Sequence, residues 1–289
     1  MKIALLETIA AVRAAVADAR AASRSIGVVP TMGALHDGHG ALIRKACRDD
    51  DFVVVTLFVN PTQFDRKEDL ERYPRTLEAD MAYAESLGAN AVFAPDSDEI
   101  YLPGAATTVK VAGLSERIEG HFRPGHFDGV TTVVAKLLNI VQADHAYFGE
   151  KDAQQLALIQ RMVTDLNIPV QIVPVPTVRE KDGLALSSRN RLLTPQDRKV
   201  APVLYRALQA AQNAIQNGAY TAQEVRGPAL EVLSDAPQMK LEYLEVVNPE
   251  TMEPVDRIHG KVRIVTAAWL GKVRLIDNIF CEAPAKLAR

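Results

Sequence analysis

Residues 26–43 read IGVVPTMGALHDGHGALI. The run IGVVPTM (26–32) has strand character, and from Gly38 onward apolar residues recur at helical spacing. Strand, glycine-bearing turn and helix in that order form one unit of a parallel sheet covered by helices. At the junction His36 and His39 stand three residues apart, a spacing that lets both imidazoles face one ligand. The amides and dipole of a helix N-terminus favour anions. Two histidines add donors whose bonds strengthen as charge builds on a transferring phosphate, so a triphosphate is the natural occupant. Gly33 and Gly38 either let the backbone approach a nucleotide or simply turn the chain. A histidine pair at this spacing also occurs in structural and metal-binding settings. Its place after a strand of an α/β unit, where ligands gather outside the carboxyl ends of strands, favours phosphate here.

Outward from this stretch the pattern repeats. FVVVTLFVN (52–60), NAVFAP (90–95), AYFGE (146–150) and VQIVPV (170–175) read as strands, and helical spacing begins again near Thr76, Thr131 and Asp152. In the last of these helices Leu156, Ile159, Val163 and Leu166 are expected to share one buried face. The N-terminal segment reads as an amphipathic helix, because Glu7, Arg13 and Asp18 interrupt its apolar start before a signal-like core develops. After about Arg191 the character changes. Thr194 and Pro195 cap and open a long helix whose stripe is Val200, Val203, Leu204, Leu208, Ala211 and Ile215, with Gly218 as its stop. Thr221 and Glu224 have capping-box spacing, and three β-rich runs follow, LEYLEVVN (241–248), VRIVTAAWL (262–270) and VRLIDNIF (273–280). The expected fold class is therefore α/β: a Rossmann-like parallel sheet with helices on both faces, then a smaller C-terminal α+β domain.

Composition narrows the function. The chain has 289 residues, 48% hydrophobic and 24% charged, which is enough to bury a large core. A formal charge of -3 provides no basic field of the kind that nucleic acid or an anionic membrane needs, so neither is expected as a partner. VTTVVAKLLNIVQA (130–143) carries Lys136 and is shorter than the roughly 20 residues of a membrane span. Cys47 and Cys281 are the two cysteines, far apart and without CxxC spacing, which fits a reducing, cytoplasmic setting. The glycines 38 and 40 do not make a dinucleotide fingerprint, since Ile43 occupies the third glycine position, and no P-loop pattern is present.

HDGH (36–39) resembles the HxGH signature of the HIGH-type nucleotidylyl transferases and of the synthetases that share their fold. Four further blocks narrow the likeness: FVNPTQF (58–64), YPRTLEAD (73–80), RPGHFDGVTTVVAKLLNIVQADHAYFGEKDAQQL (123–156) and PTVREKDGLALSSRNRLL (176–193). In this order and spacing the chain resembles the pantothenate synthetase family over residues 26–195. The resemblance implies a ligase that activates pantoate with ATP as an acyl-adenylate and joins it to β-alanine, with Mg2+ accompanying ATP, in a homodimer. It also implies a nucleotide- and pantoate-binding domain over 1–185 and a domain over 186–289 that covers the ATP site.

Residue by residue, the resemblance assigns Gln63 and Gln155 to pantoate, with Asn60 beside them; by itself Asn60 reads equally well as a strand-end turn former. Lys151, in FGEKDAQQL, is assigned to the phosphates and, with His36 and His39, to catalysis. Asp152 is suited to ribose, to orienting a partner or to metal held through water. Met32, Gly33, Gly149, Val178 and Leu186 fall on the nucleotide side, Leu186 where the family has methionine beside adenine. Ser187, Ser188 and Arg189 offer two hydroxyls and a guanidinium fork for phosphate oxygens, although the same residues suit a polar turn after a hairpin at Lys181-Asp182-Gly183. No side chain is assigned to metal, since Mg2+ leans on waters and substrate phosphates. The loop EGHFRPGHFDG (119–129), with Arg123, His126 and Asp128, reads as a mobile cover or a structural turn. Tyr73 and Asp80 read as core or helix-face residues as readily as ligands. Gly40 stands where the family has leucine, which predicts a looser helix start after His39. The rival readings are a nucleotidylyl transferase without an amide-forming half-reaction, which the two glutamines oppose, and a nucleotide sensor or RNA-binding relative, which the intact histidines and lysine and the acidic balance oppose.

Overall fold

A computed structural model describes residues 2–64 and 67–283. The chain divides into two compact units, Met1–Glu150 with Leu158–Pro176, and Lys151–Ala157 with Thr177–Arg289. In the first, six strands, β1 (Ala4–Leu6), β2 (Ile26–Thr31), β3 (Phe52–Leu57), β4 (Ala91–Phe93), β5 (His145–Gly149) and β6 (Gln171–Val175), form one sheet in the order β1-β4-β3-β2-β5-β6. Every pairing is parallel. Val28, Val29, Val53, Val54 and Val55 are all fully buried, so successive side chains on opposite sheet faces are covered, as a parallel sheet with helices on both sides requires. The helices that follow are α1 (Ile9–Ala21), α2 (Asp37–Asp49), α3 (Lys67–Glu71), α4 (Leu77–Ser86), α5 (Ser97–Ile100), α6 (Glu119–Phe122), α7 (His126–Val141) and α8 (Ala153–Asp165), the last contributing residues to both units.

Strand order reverses beside β2, since the chain proceeds outward through β3 and β4 on one side and through β5 and β6 on the other. β2 and β3 pair along six residues, whereas β2 meets β5 only at Gly27–His145 and Val28–Ala146. Both strands continue for three residues past that ladder, so they part toward their carboxyl ends and leave the crevice in which such sheets bind ligands.

In the second unit α9 (Pro195–Val200), α10 (Val203–Gln216) and α11 (Ala222–Ser234) accompany three antiparallel strands, β7 (Met239–Val247), β8 (Lys261–Leu270) and β9 (Val273–Glu282). Leu204, Leu208, Ala211 and Ile215 of α10 pack with Val225 and Ala229 of α11 and with Leu244, Ile264 and Ala268 of the sheet in one apolar core. Thr221 and Glu224 form the capping box that their spacing predicts: the Thr221 hydroxyl accepts from the Glu224 amide and the Glu224 carboxylate from the Thr221 amide.

Four local expectations are corrected. The N-terminal segment is not all helix: Ala4–Leu6 pairs with Ala91–Phe93 as an edge strand, and helix begins only after Thr8, whose hydroxyl accepts from Ala11 N. The expected long helix after Thr194 is two helices, because Pro202 has no N–H to continue the ladder, and the stripe from Val203 belongs to α10. Leu166 is 53% exposed and lies beyond the end of α8, where the chain turns through Asn167 at φ 51°. The loop expected over 119–129 is largely helical, with α7 starting at His126, five residues before Thr131.

Gly129 inside α7 explains why the composition there suggested a loop. A Cβ at Gly129 would lie 2.5 Å from the Thr62 carbonyl oxygen, so the bare backbone lets the helix rest against the turn at 60–63. Gly129→Ala should therefore destabilise the protein by about 1–3 kcal/mol, as overpacking does. The midpoint of denaturant unfolding measures this, and an unchanged midpoint would mean that the turn yields freely.

Candidate active site

The first unit presents the carboxyl end of β2, the loop 32–36 and the start of α2. His36 is the N-cap residue of α2; its Nδ1 accepts from Gly38 N at 3.1 Å, and its own backbone N–H donates to His39 Nδ1 at 3.3 Å. The rings lie 4.1 Å apart between centroids. Because each Nδ1 accepts a backbone proton, each neutral imidazole carries its own proton on Nε2, and both present N–H donors from that nitrogen. A reciprocal cap thus sets both tautomers and holds the two imidazoles side by side.

The loop before His36 is held by Asp80, a residue that sequence alone left ambiguous. Its carboxylate, 4% exposed, accepts from Ala34 N at 2.9 Å, Leu35 N at 2.7 Å and the Thr76 hydroxyl at 3.0 Å. Gly33 and Ala34 both have positive φ, 83° and 51°. The alanine is an unfavourable residue for that conformation and is retained by the two charge-assisted bonds around it. The Thr76–Asp80 spacing at the start of α4 is the visible signal, since a carboxylate one turn into a helix faces the same side as its cap residue. Gly40 also has a reason: a Cβ there would lie 2.4 Å from the Tyr83 hydroxyl oxygen, and that hydroxyl donates to Asp37 at 2.7 Å. The tyrosine fills the space left by a small residue, so the start of α2 is braced, not loose.

Beyond β3, Asn60 is 1% exposed. Its Oδ1 accepts from Thr62 N, the Thr62 hydroxyl and the Tyr101 hydroxyl, and its Nδ2 donates to Gln63 Oε1 at 3.0 Å and Gly129 O at 3.1 Å. Its amide is engaged within the turn, and one of its bonds orients Gln63. The Gln63 Nε2 meets Met32 Sδ at 3.0 Å, which brings two of the sequence-predicted residues together. The Gln63 carbonyl takes His126 Nδ1–H at 2.8 Å, while His126 Nε2 accepts from Arg123 at 3.0 Å. Arg123 in turn faces Glu119 at 3.7 Å. Arg123 and His126 are thus structural supports of the 60–63 turn, whereas Asp128 lies in the first turn of α7 and its carbonyl accepts from Thr132. Tyr73 stacks edge-on against Phe64. Gly149 ends β5, and among the described residues nothing lies within 4 Å of a Cβ built there.

In the second unit one cleft is lined by Lys151, Ser187, Arg189, Asn190, Arg274 and Asp277 with Leu184, Ala185 and Leu275. Lys151, Ser187 and Arg189, assigned to phosphates on the family resemblance, are therefore brought to one place. Ser187 caps the 3-10 turn Ser188–Leu192 by accepting from Arg189 N at 3.3 Å, and Ser188 opens that turn. Lys151 Nζ is 3.7 Å from the Asp152 carboxylate, and its carbonyl accepts from Asn278 Nδ2 at 2.8 Å. Asp152 stands just ahead of α8, where its carbonyl accepts the Leu156 amide, and Gln155 is half-buried in the first turn. Leu186 N donates to Val178 O at 2.9 Å, so these two residues, both expected on the nucleotide side, pair across a hairpin that turns through Gly183 at φ 93°.

That hairpin is anchored by residues with no motif to mark them. Arg179 chelates Asp277 at 2.6 and 2.9 Å, donates to Gly183 O and Asn278 O, and lies 3.7 Å over the Tyr205 ring. Burial pushes the Asp277 carboxyl up from its ordinary range, and the Arg179 fork opposes that shift. Arg198 spans Glu180 at 2.7 Å and Asp182 at 2.6 Å, and its bond holds the exposed Asp182 carboxyl below its usual range. No group of three or more His, Cys, Asp or Glu side chains gathers as a metal site among the described residues.

Comparison with known proteins completes the picture. The family model described as pantoate-beta-alanine ligase matches residues 4–280. The chain is 51% identical over 278 residues to the pantothenate synthetase of Moorella thermoacetica, covering 96% of this chain and 98% of that protein. It is 52% identical over 275 residues to that of Cereibacter sphaeroides, with 95% and 98% covered. The crystal structure of pantothenate synthetase from Thermus thermophilus superposes with a TM-score of 0.91 at 47% identity, covering 96% of this chain and 99% of that one. A pantoate-beta-alanine ligase from Francisella tularensis, solved with beta-gamma ATP and beta-alanine, gives 0.79 at 36% identity, with 96% and 97% covered. With its parallel sheet, its HxGH turn and a match along nearly its whole length, the chain belongs to the pantoate-beta-alanine ligase family.

Proposed function

We propose that the chain condenses pantoate with β-alanine at the expense of ATP, through a pantoyl-adenylate, releasing AMP and pyrophosphate. The observation that carries this reading is the reciprocal cap of His36 and His39, which sets two Nε2–H donors at the start of α2 in a chain that matches the ligase family from residue 4 to residue 280. A carboxylate is a poor acyl donor because its leaving group would be oxide, and adenylation supplies a phosphate leaving group instead. A pantoate carboxylate oxygen attacks the α-phosphorus, the bond to the bridging oxygen breaks, and MgATP gives pyrophosphate. The neutral amine of β-alanine then attacks the acyl carbon, AMP departs with the bonding pair, and the amine proton is released. No protein nucleophile enters either step.

In this reading His36 and His39 donate to phosphate oxygens as charge builds on them. Lys151, Ser187, Ser188 and Arg189 neutralise and hold the phosphates, Arg189 through its planar fork. Met32, Gly33, Val178 and Leu186 bound the nucleoside, and Asp152 is suited to its ribose. Gly149 has open space around a virtual Cβ, which supports a ligand, not a protein neighbour, as the reason for glycine. Gln63 and Gln155 hold pantoate, while Asn60 acts through Gln63, since its own amide is engaged in the turn. Mg2+ arrives with ATP and screens the phosphate charge. Self-association into a homodimer and a cytoplasmic setting complete the proposal. Among the described residues no helix is long and apolar enough to cross a membrane.

Three measurements test it. AMP formation, assayed with each substrate omitted in turn, should require ATP, pantoate and β-alanine together, and labelled pyrophosphate should exchange into ATP only when pantoate is present; exchange without pantoate would refute the adenylate. Lys151→Ala or His39→Ala should lower turnover on the order of a hundredfold or more, the loss of one preorganised donor, with the melting temperature scarcely changed. Parental exchange rates in Lys151→Ala would remove that residue from the mechanism. Asp80→Asn sets an amide against two backbone donors and should destabilise the fold by about 1–3 kcal/mol while weakening ATP binding. A variant that melts early yet binds ATP with parental affinity would show that Asp80 serves stability alone.

A further inference from the structure

The cleft of the second unit contains a polar atom that the reading above does not use. Among the described residues, the Asn190 Oδ1 is a buried side-chain oxygen without a hydrogen-bond partner. Asn190 lines the same cleft as Lys151, Ser187 and Arg189. Its orientation is determined, because Nδ2 donates to Ala185 O at 3.0 Å and to Glu180 Oε1 at 3.3 Å. A flipped amide would set an acceptor against both of those acceptors. A buried acceptor left unpaired costs free energy comparable to a lost hydrogen bond, so a complement is expected in the working protein.

The phosphates cannot be that complement, since their oxygens are acceptors. Of the cations around the cleft, Arg274 is held by Glu242, Lys151 faces Asp152 at 3.7 Å, and the exposed Arg189 is given to the phosphates in the reading above. A nucleoside does carry donors, the ribose hydroxyls and an exocyclic amine. Asn190 also bonds to Ala185, the neighbour of the Val178–Leu186 pair that the reading above gives to the nucleoside, and lines the cleft together with Ser187 and Arg189. We infer that Asn190 Oδ1 accepts a hydrogen bond from a donor on the nucleoside of the bound nucleotide, and so contributes to nucleotide selectivity. This rests on the ATP-dependent reading of the same cleft.

Pantoate-dependent pyrophosphate exchange should be measured with ATP, 2′-deoxy-ATP, 3′-deoxy-ATP and purine-riboside triphosphate in four proteins: the parent, Asn190→Ala, Asn190→Asp and Glu180→Ala. Asn190→Ala should lower kcat/KM for ATP by about three- to tenfold, the worth of one hydrogen bond, and have almost no effect with the one analogue that lacks the partnered donor. Which analogue that is tells hydroxyl from amine. Asn190→Asp keeps an acceptor oxygen but sets a second one against Ala185 O and Glu180 Oε1, so it loses the anchor and should lower all four nucleotides by a common factor. Glu180→Ala loosens the anchor without removing the acceptor and should shift all four by a common factor. If Asn190→Ala also shifts all four equally, as it would if the oxygen only bound water or steadied the turn, the inference is overturned; so it is if none shifts. Should Asn190→Ala fail to fold, Asn190→Ser, which is too short to place its hydroxyl at the Oδ1 position, decides by the same criterion: an effect missing only with the analogue that lacks the partnered donor upholds the inference, and an equal shift across all four overturns it. Absence of exchange in the parent protein would remove the ligase reading and this inference together, an outcome distinct from an active parent with indifferent variants.

Discussion

A buried carboxylate organises the first unit's site. Asp80 takes the amides of Ala34 and Leu35 and the hydroxyl of Thr76, and in doing so holds a left-handed alanine between β2 and α2. Everything that follows in the chain inherits that constraint. The direction in which the backbone leaves Leu35 sets where His36 caps α2, and the cap sets the tautomers of both imidazoles. The negative charge also lies on the favourable side of a helix start. The two imidazoles are thus oriented by bonds within the chain itself.

The second unit solves a related problem with different means. Its candidate phosphate residues sit on a hairpin and a 3-10 turn, elements with few backbone bonds of their own, and side chains replace what the backbone lacks. Arg179 joins Asp277, Asn278, Gly183 and the Tyr205 face at once, and Asn278 in turn holds the Lys151 carbonyl. Breaking one partner of such a buried pair leaves the other charge uncompensated, which is why this lattice is expected to tolerate little change.

Local pattern was legible wherever one short stretch contained both halves of an interaction. The strand-to-helix turn at 26–43, the Thr221 and Glu224 box and the three C-terminal strands all had their signals within a few residues. Reading failed where a distant partner overrode composition. Residues 119–129 look like a loop because of their glycines and proline, yet Gly129 is helical and bare so that α7 can rest on the Thr62 carbonyl. Ala4–Leu6 is too short to announce a strand, and is one only because β4 offers a parallel edge. Asn60 by its sequence suits a turn and a ligand alike; its bonds to Gly129 and Tyr101, far along the chain, engage its amide within the turn.

By itself the amino-acid sequence determined the layered α/β class, the histidine pair and its helix start, and the family, because periodicity, caps and ordered motifs are properties of neighbours along the chain. Only the tertiary structure decided that Asp80 braces the HxGH turn, that Arg123 and His126 support Gln63, that Tyr83 fills the space over Gly40, and that the Asn190 side-chain oxygen is buried without a partner. Hydrogen bonds are satisfied in space, often by residues tens of positions away, and no spacing rule records which carboxylate or carbonyl will be near when the chain closes on itself.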